Sequence, residues 1–238
     1  MTLSRRIVAE GLGTAFLLAA VVGSGIMGQT LASGNTAIAL LANTLATGAT
    51  LMVLIFTFGP ISGAHFNPAV TLADASQGGI SWSDVPAYIV AQVLGSLIGV
   101  AAAHLMFGEA LIQVSQHVRA GGGQLFSEFV ATFGLLCVIW GCARLRSEGV
   151  PVAVGLYITG AYWFTASTSF ANPAVNAREG LHRYICGDSP LRRTGFYVGA
   201  VSRRLRCDCA FSLACTGTPL RSERRCVSAC RCQQMNDE

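Results

Sequence analysis

Charge is scarce in this chain: only 12% of its 238 residues are Asp, Glu, Lys or Arg, against roughly a quarter in an average soluble domain. That scarcity argues against a water-facing globular surface and makes lipid the expected solvent. No G-x-x-x-x-G-K-[ST] phosphate-binding loop occurs, so no energy source for active transport is implied. At mid-span in the long apolar runs the charged residues reduce to Glu10 and Glu128, which disfavours an ion-coupled transporter or ion channel, since those proteins place ionisable groups along their pathway. Cysteine is rare in the first 178 residues, where only Cys137 and Cys142 occur and read as apolar packing residues.

Hydrophobic residues, by contrast, make up 52% of the chain. Five segments, at 4–28, 35–58, 83–107, 124–143 and 150–169, reach the length of about 20 mainly apolar residues that a helix needs to cross a bilayer. An all-α, multi-pass membrane protein follows. Arg5 and Arg6 open the first run as in a signal peptide, but the run is too long and four more follow, so it reads as a retained helix. Arg144 and Arg146 follow the fourth segment on the same side, and the positive-inside rule puts the N-terminus in the cytoplasm. The Gly121–Gly123 run suits a flexible external loop.

The sequence repeats itself. Glu10 and Thr14 in the first segment match Glu128 and Thr132 in the fourth, while Asn67-Pro68-Ala69 follows the second segment and Asn172-Pro173-Ala174 the fifth. Three spans per half make this an inverted repeat, with a shared site near the bilayer midplane. Each motif opens a segment too short to span. Irregular backbone survives at membrane depth only where protein buries it or it lines a watery cavity, so two re-entrant half-helices are expected. Proline suits a first helical turn and Asn caps it. Two such N-termini meeting at mid-membrane present positive dipole ends that repel cations. Free amide N–H groups of Asn67 and Asn172 would hold a passing solute oxygen-inward.

On these residues, with the Ser62–Phe66 lead-in and Ala91-Gln92-x-x-Gly95, residues 4–178 resemble the aquaporin, or major intrinsic protein, family. The resemblance implies a right-handed bundle of six spans and two half-helices, a passive pore for water and small neutral solutes, no cofactor and no enzymatic activity. It also implies a homotetramer in the lipid bilayer. A four-residue constriction sets selectivity in the family. Its positions correspond here to Thr47, Tyr162 (with Ala161 or Gly160 as alternatives), Ser169 and Val175. Val175 stands where Arg is common, and Arg178, one turn further, is a poor substitute. A wider, less charged opening suits glycerol-like polyols or undissociated arsenous acid, as in bacterial aquaglyceroporin-like members of the inner membrane.

The remaining residues read more plainly. Glu10 and Glu128 are expected to accept backbone N–H bonds around the re-entrant loops, and His65 to pack under the first half-helix with its ring bonded to the loop. Gly11, Gly13, Gly95 and Gly99 allow close helix approach. Two domains are expected, a channel at 1–178 and an aberrant, disordered tail at 179–238 that holds ten of the 16 Arg and seven of the nine Cys. Arg203, Arg204, Arg206 and Asp208 interrupt the place of a sixth span, each costing about 2.5–3.5 kcal/mol at mid-membrane. A change of reading frame near residue 179 explains the shift, so the alternative to a working channel is a non-functional, frameshifted product. The tail cysteines, Cys207 and Cys209, then Cys226, Cys230 and Cys232, lack zinc-site spacing, and its arginines lack the interleaved aromatics of a nucleic-acid site. Neither a metal nor a nucleic-acid partner is expected.

Overall fold

The computed structural model describes residues 1–111, 122–167 and 171–172. They form six α-helices: α1 (Leu3–Leu31), α2 (Thr36–Ser62), α3 (Pro68–Ser76), α4 (Val85–Phe107), α5 (Gly122–Leu145) and α6 (Val150–Phe164), with a single 3₁₀ turn before α6. Among the described residues there is no strand. Helices α1, α2, α4 and α5 are long and apolar enough to cross a membrane.

Boundaries follow local chemistry. Asn35 caps α2 by accepting from Ala37 N and Ile38 N, and Gly63, at φ 90°, ends it in the left-handed region that glycine enters freely. Helix α3 starts where expected, with Asn67 as cap and Pro68 at its first position. Gly122 and Gly123 belong to the first turn of α5 instead of a loop, a position where backbone N–H groups have no helical partner in any case.

The fifth span is shorter than expected. Helix α6 ends at Phe164, and Thr165 is extended. Its 15 residues reach only about 22 Å against a hydrocarbon core of about 30 Å. The Thr165 hydroxyl donates to the Ala161 carbonyl at 2.7 Å and Ala166 N donates to Ser127 Oγ at 3.2 Å. Ala161 O keeps its helical bond from Thr165 N, and the Ser127 side chain takes over the Ala166 N–H that a continuing helix would have paired. The chain must leave the helix to bring residues 171–172 back to the centre of the protein.

Helix contacts are made through glycine. An added Cβ at Gly95 would meet the Gly11 backbone, and one at Gly99 the Ala15 backbone, so α1 and α4 cross backbone to backbone. The crossing of α2 with α6 is reciprocal: a Cβ on Gly48 would lie 3.1 Å from Gly155 O, and one on Gly155 2.8 Å from Gly48 O. The polar pattern is inverted relative to a soluble protein. Glu10, Thr14, Asn43, Gln92 and Ser96 are fully buried, while Phe16, Val53, Ile98, Leu156 and Trp163 are half exposed or more, as lipid-facing side chains are.

Candidate functional site

Glu10 organises the loop between α2 and α3. Its Oε1 accepts from Ser62 Oγ at 2.7 Å and His65 N at 3.0 Å, and its Oε2 from Phe66 N at 2.7 Å and Gln92 Nε2 at 2.8 Å. Ala64 and Phe66 sit at φ 51° and 48°, a left-handed conformation costing a non-glycine residue about 1–2 kcal/mol. That twist turns two successive N–H groups toward one carboxylate, a backbone concavity suited to an anion. Four hydrogen bonds to a buried charge-type acceptor outweigh the strain.

Glu128 repeats the device in the second half. Its Oε2 accepts from Ala171 N at 2.9 Å, and Ala171 is left-handed at φ 42°. Phe66 and Ala171 each precede the Asn of a motif, so the two acids hold equivalent residues in equivalent conformations. Both acids therefore have the loop-holding role expected of them.

The two asparagines then meet. Asn67 Nδ2 donates to Ala171 O at 2.6 Å, and Asn172 Nδ2 donates to Phe66 O at 2.8 Å. Asn67 Oδ1 accepts from Ala69 N at 2.8 Å as the cap of α3. The expectation that both amide N–H groups would be free for a solute is corrected here, because each Asn commits one to the opposite half. A primary amide has two, and the second N–H of Asn67 remains for the cavity that Asn67 lines.

That cavity has a volume of about 630 Å³ and reaches both motif asparagines. Its wall is mainly aliphatic, with Leu51 and Ile55 from α2, Leu135 and Ile139 from α5, and Val154 and Ile158 from α6. A solute crossing such a wall loses water without finding replacements, except at a few polar points. Thr47 and Tyr162 line it; Ala161 and Gly160 do not. Thr47 is 3% exposed and its hydroxyl has no hydrogen-bond partner among the described residues. Of the other expected site residues, Ser169, Pro173, Ala174 and Val175 lie outside the described residues, as do Arg178 and the whole 179–238 tail.

His65 packs on Tyr88 with ring centroids 5.5 Å apart, its Nδ1 lies 3.1 Å from Thr71 Oγ1 on the half-helix, and its Nε2 lies 3.5 Å from Asp74 Oδ2. The supporting residues Gln92 and Tyr88 were not singled out for a role by sequence reasoning. A glutamine at the centre of an apolar run was the available signal, because an amide in lipid needs a partner. Gln92 Nε2 reaches both Glu10 and Thr71 Oγ1, the latter at 2.9 Å.

Comparison with known proteins agrees with this geometry. Residues 1–179 match the family described as Major intrinsic protein. The chain is 51% identical over 211 residues to the aquaglyceroporin AqpS of Rhizobium meliloti (strain 1021), covering 89% of each chain. Similarity to that relative therefore runs past residue 179, into the segment expected from the sequence to be an aberrant tail. It is 39% identical to the aquaporin NIP1-1 of Oryza sativa subsp. japonica over 159 residues, 65% of this chain and 55% of that protein. In fold it is similar to the X-ray structure of the aquaglyceroporin from Plasmodium falciparum, with a TM-score of 0.67, 22% identity, and coverage of 87% of this chain and 93% of that one. With its apolar helices, its paired motif loops and a family match over residues 1–179, this chain belongs to the major intrinsic protein family of membrane channels.

Proposed function

We propose that this protein is a passive channel for water and small uncharged solutes, taking neutral polyols or undissociated arsenous acid in preference to ions. The observation that carries this reading is the exchange between Asn67 and Asn172, each bonded to the carbonyl before the other at the edge of one continuous cavity. Such an arrangement holds Asn172 against the start of the half-helix α3, and a second half-helix is proposed to begin at Asn172, so that the two N-terminal dipole ends disfavour cations. Selectivity falls to Thr47 and Tyr162, together with Ser169 and Val175. Tyr162 is preferred to Ala161 and Gly160 because it alone of the three lines the cavity. With Val175 in place of a guanidinium, the opening is uncharged on that side. The name of the rhizobial relative, an aquaglyceroporin, favours polyols. The same relative supports a bacterial inner membrane, and Arg5 and Arg6 support a cytoplasmic N-terminus. A homotetramer is the proposed assembly.

Purified protein in liposomes tests this. Stopped-flow traces are expected to show water, glycerol and arsenous acid fluxes above those of empty liposomes, with no accumulation driven by an imposed proton or sodium gradient. Fluxes equal to empty liposomes for all three solutes would end the permeation reading, and gradient-driven accumulation would replace it with coupled transport.

A second reading has its own support: the family match ends at residue 179, where Arg and Cys content rises. On that reading the channel domain is 1–178 and the chain is a frameshifted, non-functional product. A chimera carrying the rhizobial relative's segment after residue 179 decides it. Equal permeability of chimera and native chain would remove this alternative.

A further inference from the structure

At the end of the cavity remote from Thr47, a guanidinium is held in place by its neighbours. Arg6 Nε donates to Tyr88 Oη at 2.7 Å, and Arg6 Nη1 donates to Asp84 Oδ2 at 3.1 Å. The group lies over the Tyr88 ring at 5.1 Å from its centroid. Tyr88 is fully buried and itself donates to Ser62 O at 2.8 Å, and Ser62 in turn donates to Glu10. Arg6 is thus tied into the framework that shapes the motif loop. Thr47 and Ser62 are 15 residues apart on α2, so the two ends of the cavity are about 22 Å apart along that helix.

A guanidinium has five N–H donors. Two are used here, and the Nη2 pair makes no hydrogen bond among the described residues, while Arg6 lines the cavity. Asp74, an acceptor, lines the same end with an oxygen 3.5 Å from His65 Nε2. A fixed donor fork and an acceptor at one mouth suit a solute that carries several hydroxyls, each both donor and acceptor. They suit neither ion: Arg6 opposes a cation and Asp74 an anion.

We propose that Arg6 is a solute-binding residue, its fixed guanidinium donating to the hydroxyl oxygens of a small neutral polyol at the mouth of the lumen formed by the start of α1. This rests on the reading of the cavity as the conduction path. The guanidinium that the constriction lacks at Val175 is then supplied at the other end of the pore, where it selects polyols on entry or exit without narrowing the constriction itself.

The test uses the full chain in liposomes, with glycerol flux measured against glycerol concentration and water permeability measured in parallel. Loss of a charge-assisted bond in R6Q is expected to raise the half-saturating glycerol concentration about fivefold, a larger change than in the water permeability of the same liposomes. R6K, which keeps charge but not the fork, is expected to fall between. An unchanged half-saturation in R6Q overturns the proposal. Where R6Q does not fold, or no chain conducts, phenylglyoxal labelling of the native protein decides, with modified arginines located by mass spectrometry. Glycerol is expected to slow modification of Arg6 about threefold or more and leave Arg144 unchanged; equal rates at both overturn the binding site. Absence of flux with protection of Arg6 intact would remove the conduction reading alone.

Discussion

The two halves of this protein hold their motif loops with one device but join their helices differently. In the first, Glu10 binds donors from the end of α2, the motif loop and α4 at once, and α4 is pressed backbone to backbone on α1. In the second, Glu128 holds Ala171 N, and α5 meets α6 through a side chain, since an added Cβ at Gly134 would meet the hydroxyl end of Tyr157. Each loop is also tied to the other, Asn67 donating to Ala171 O and Asn172 to Phe66 O. The lesson is that the pore centre is built jointly, each half presenting a carbonyl that the other half's asparagine holds.

The largest expected effect breaks that shared device directly. Glu10→Gln keeps one acceptor oxygen and turns the other into an amide N–H₂ facing two donors, so one buried backbone N–H and one side-chain donor lose their partner at about 1–3 kcal/mol each. Glu10→Gln is expected to destabilise by more than about 3 kcal/mol and to yield little folded protein in detergent. Glu128→Gln, which acts on the Ala171 N contact in the same way, is expected to be destabilising too. Thermal unfolding of the two variants reads the losses, and an unchanged unfolding temperature in Glu128→Gln would show that its carboxylate does not hold the second loop.

Next come the two asparagines, which ought to be nearly equivalent if the centre is shared. Asn67→Ala removes a helix cap worth about 1 kcal/mol and a cross-half hydrogen bond of about the same value. Destabilisation of about 2 kcal/mol is expected, with water permeability strongly reduced, and Asn172→Ala is expected to match it. A large difference in permeability between the two would mean that one loop alone forms the pore centre.

Glycine contacts sharpen the contrast at a smaller scale. A methyl at Gly99 meets the Ala15 backbone, which only a shift of the helices relieves, whereas one at Gly134 meets the Tyr157 hydroxyl, which a swing of that side chain relieves at the expense of its bonds to Val130 O and Ala131 O. Gly99→Ala is expected to cost about 2 kcal/mol and Gly134→Ala about 1 kcal/mol, measured as shifts in unfolding temperature of the purified protein. The reverse order would place the rigid contact in the second half.

Much of this architecture was legible in the residues because lipid imposes simple rules. Apolar runs marked four spans to within a few residues, and the matched Glu10 and Glu128 gave the repeat. Less legible were features decided by three-dimensional accounting. That α6 stops at Phe164 depends on Ser127, whose hydroxyl takes the N–H of Ala166, 39 positions away in sequence. The left-handed turns at Phe66 and Ala171 have no glycine to announce them, because Glu10 and Glu128 impose a conformation that local propensity disfavours. The same accounting explains why each Asn amide commits an N–H across the halves: each faces a carbonyl more than 100 residues distant. Arg6 was readable as a topological marker, but its approach to Tyr88 and Asp84 joins α1 to the start of α4, a contact no local pattern encodes.

Asn35 supplies the smallest effect and calibrates the rest. Like Asn67 it caps a helix, accepting from Ala37 N at 3.1 Å and Ile38 N at 3.2 Å, but it is exposed and its recorded bonds stay within its own turn. Asn35→Ala therefore removes a cap and nothing else, at an expected cost of about 1 kcal/mol, and Asn35→Ser is expected to restore most of it. Subtracting that cost from the loss in Asn67→Ala leaves the part due to the bond across the two halves. Water permeability per folded molecule is expected to be unchanged in Asn35→Ala, because the cap lies outside the cavity. If Asn35→Ala and Asn67→Ala cost the same stability, the bond from Asn67 to Ala171 contributes nothing net, and the halves are held together by the α2 and α6 glycine crossing instead.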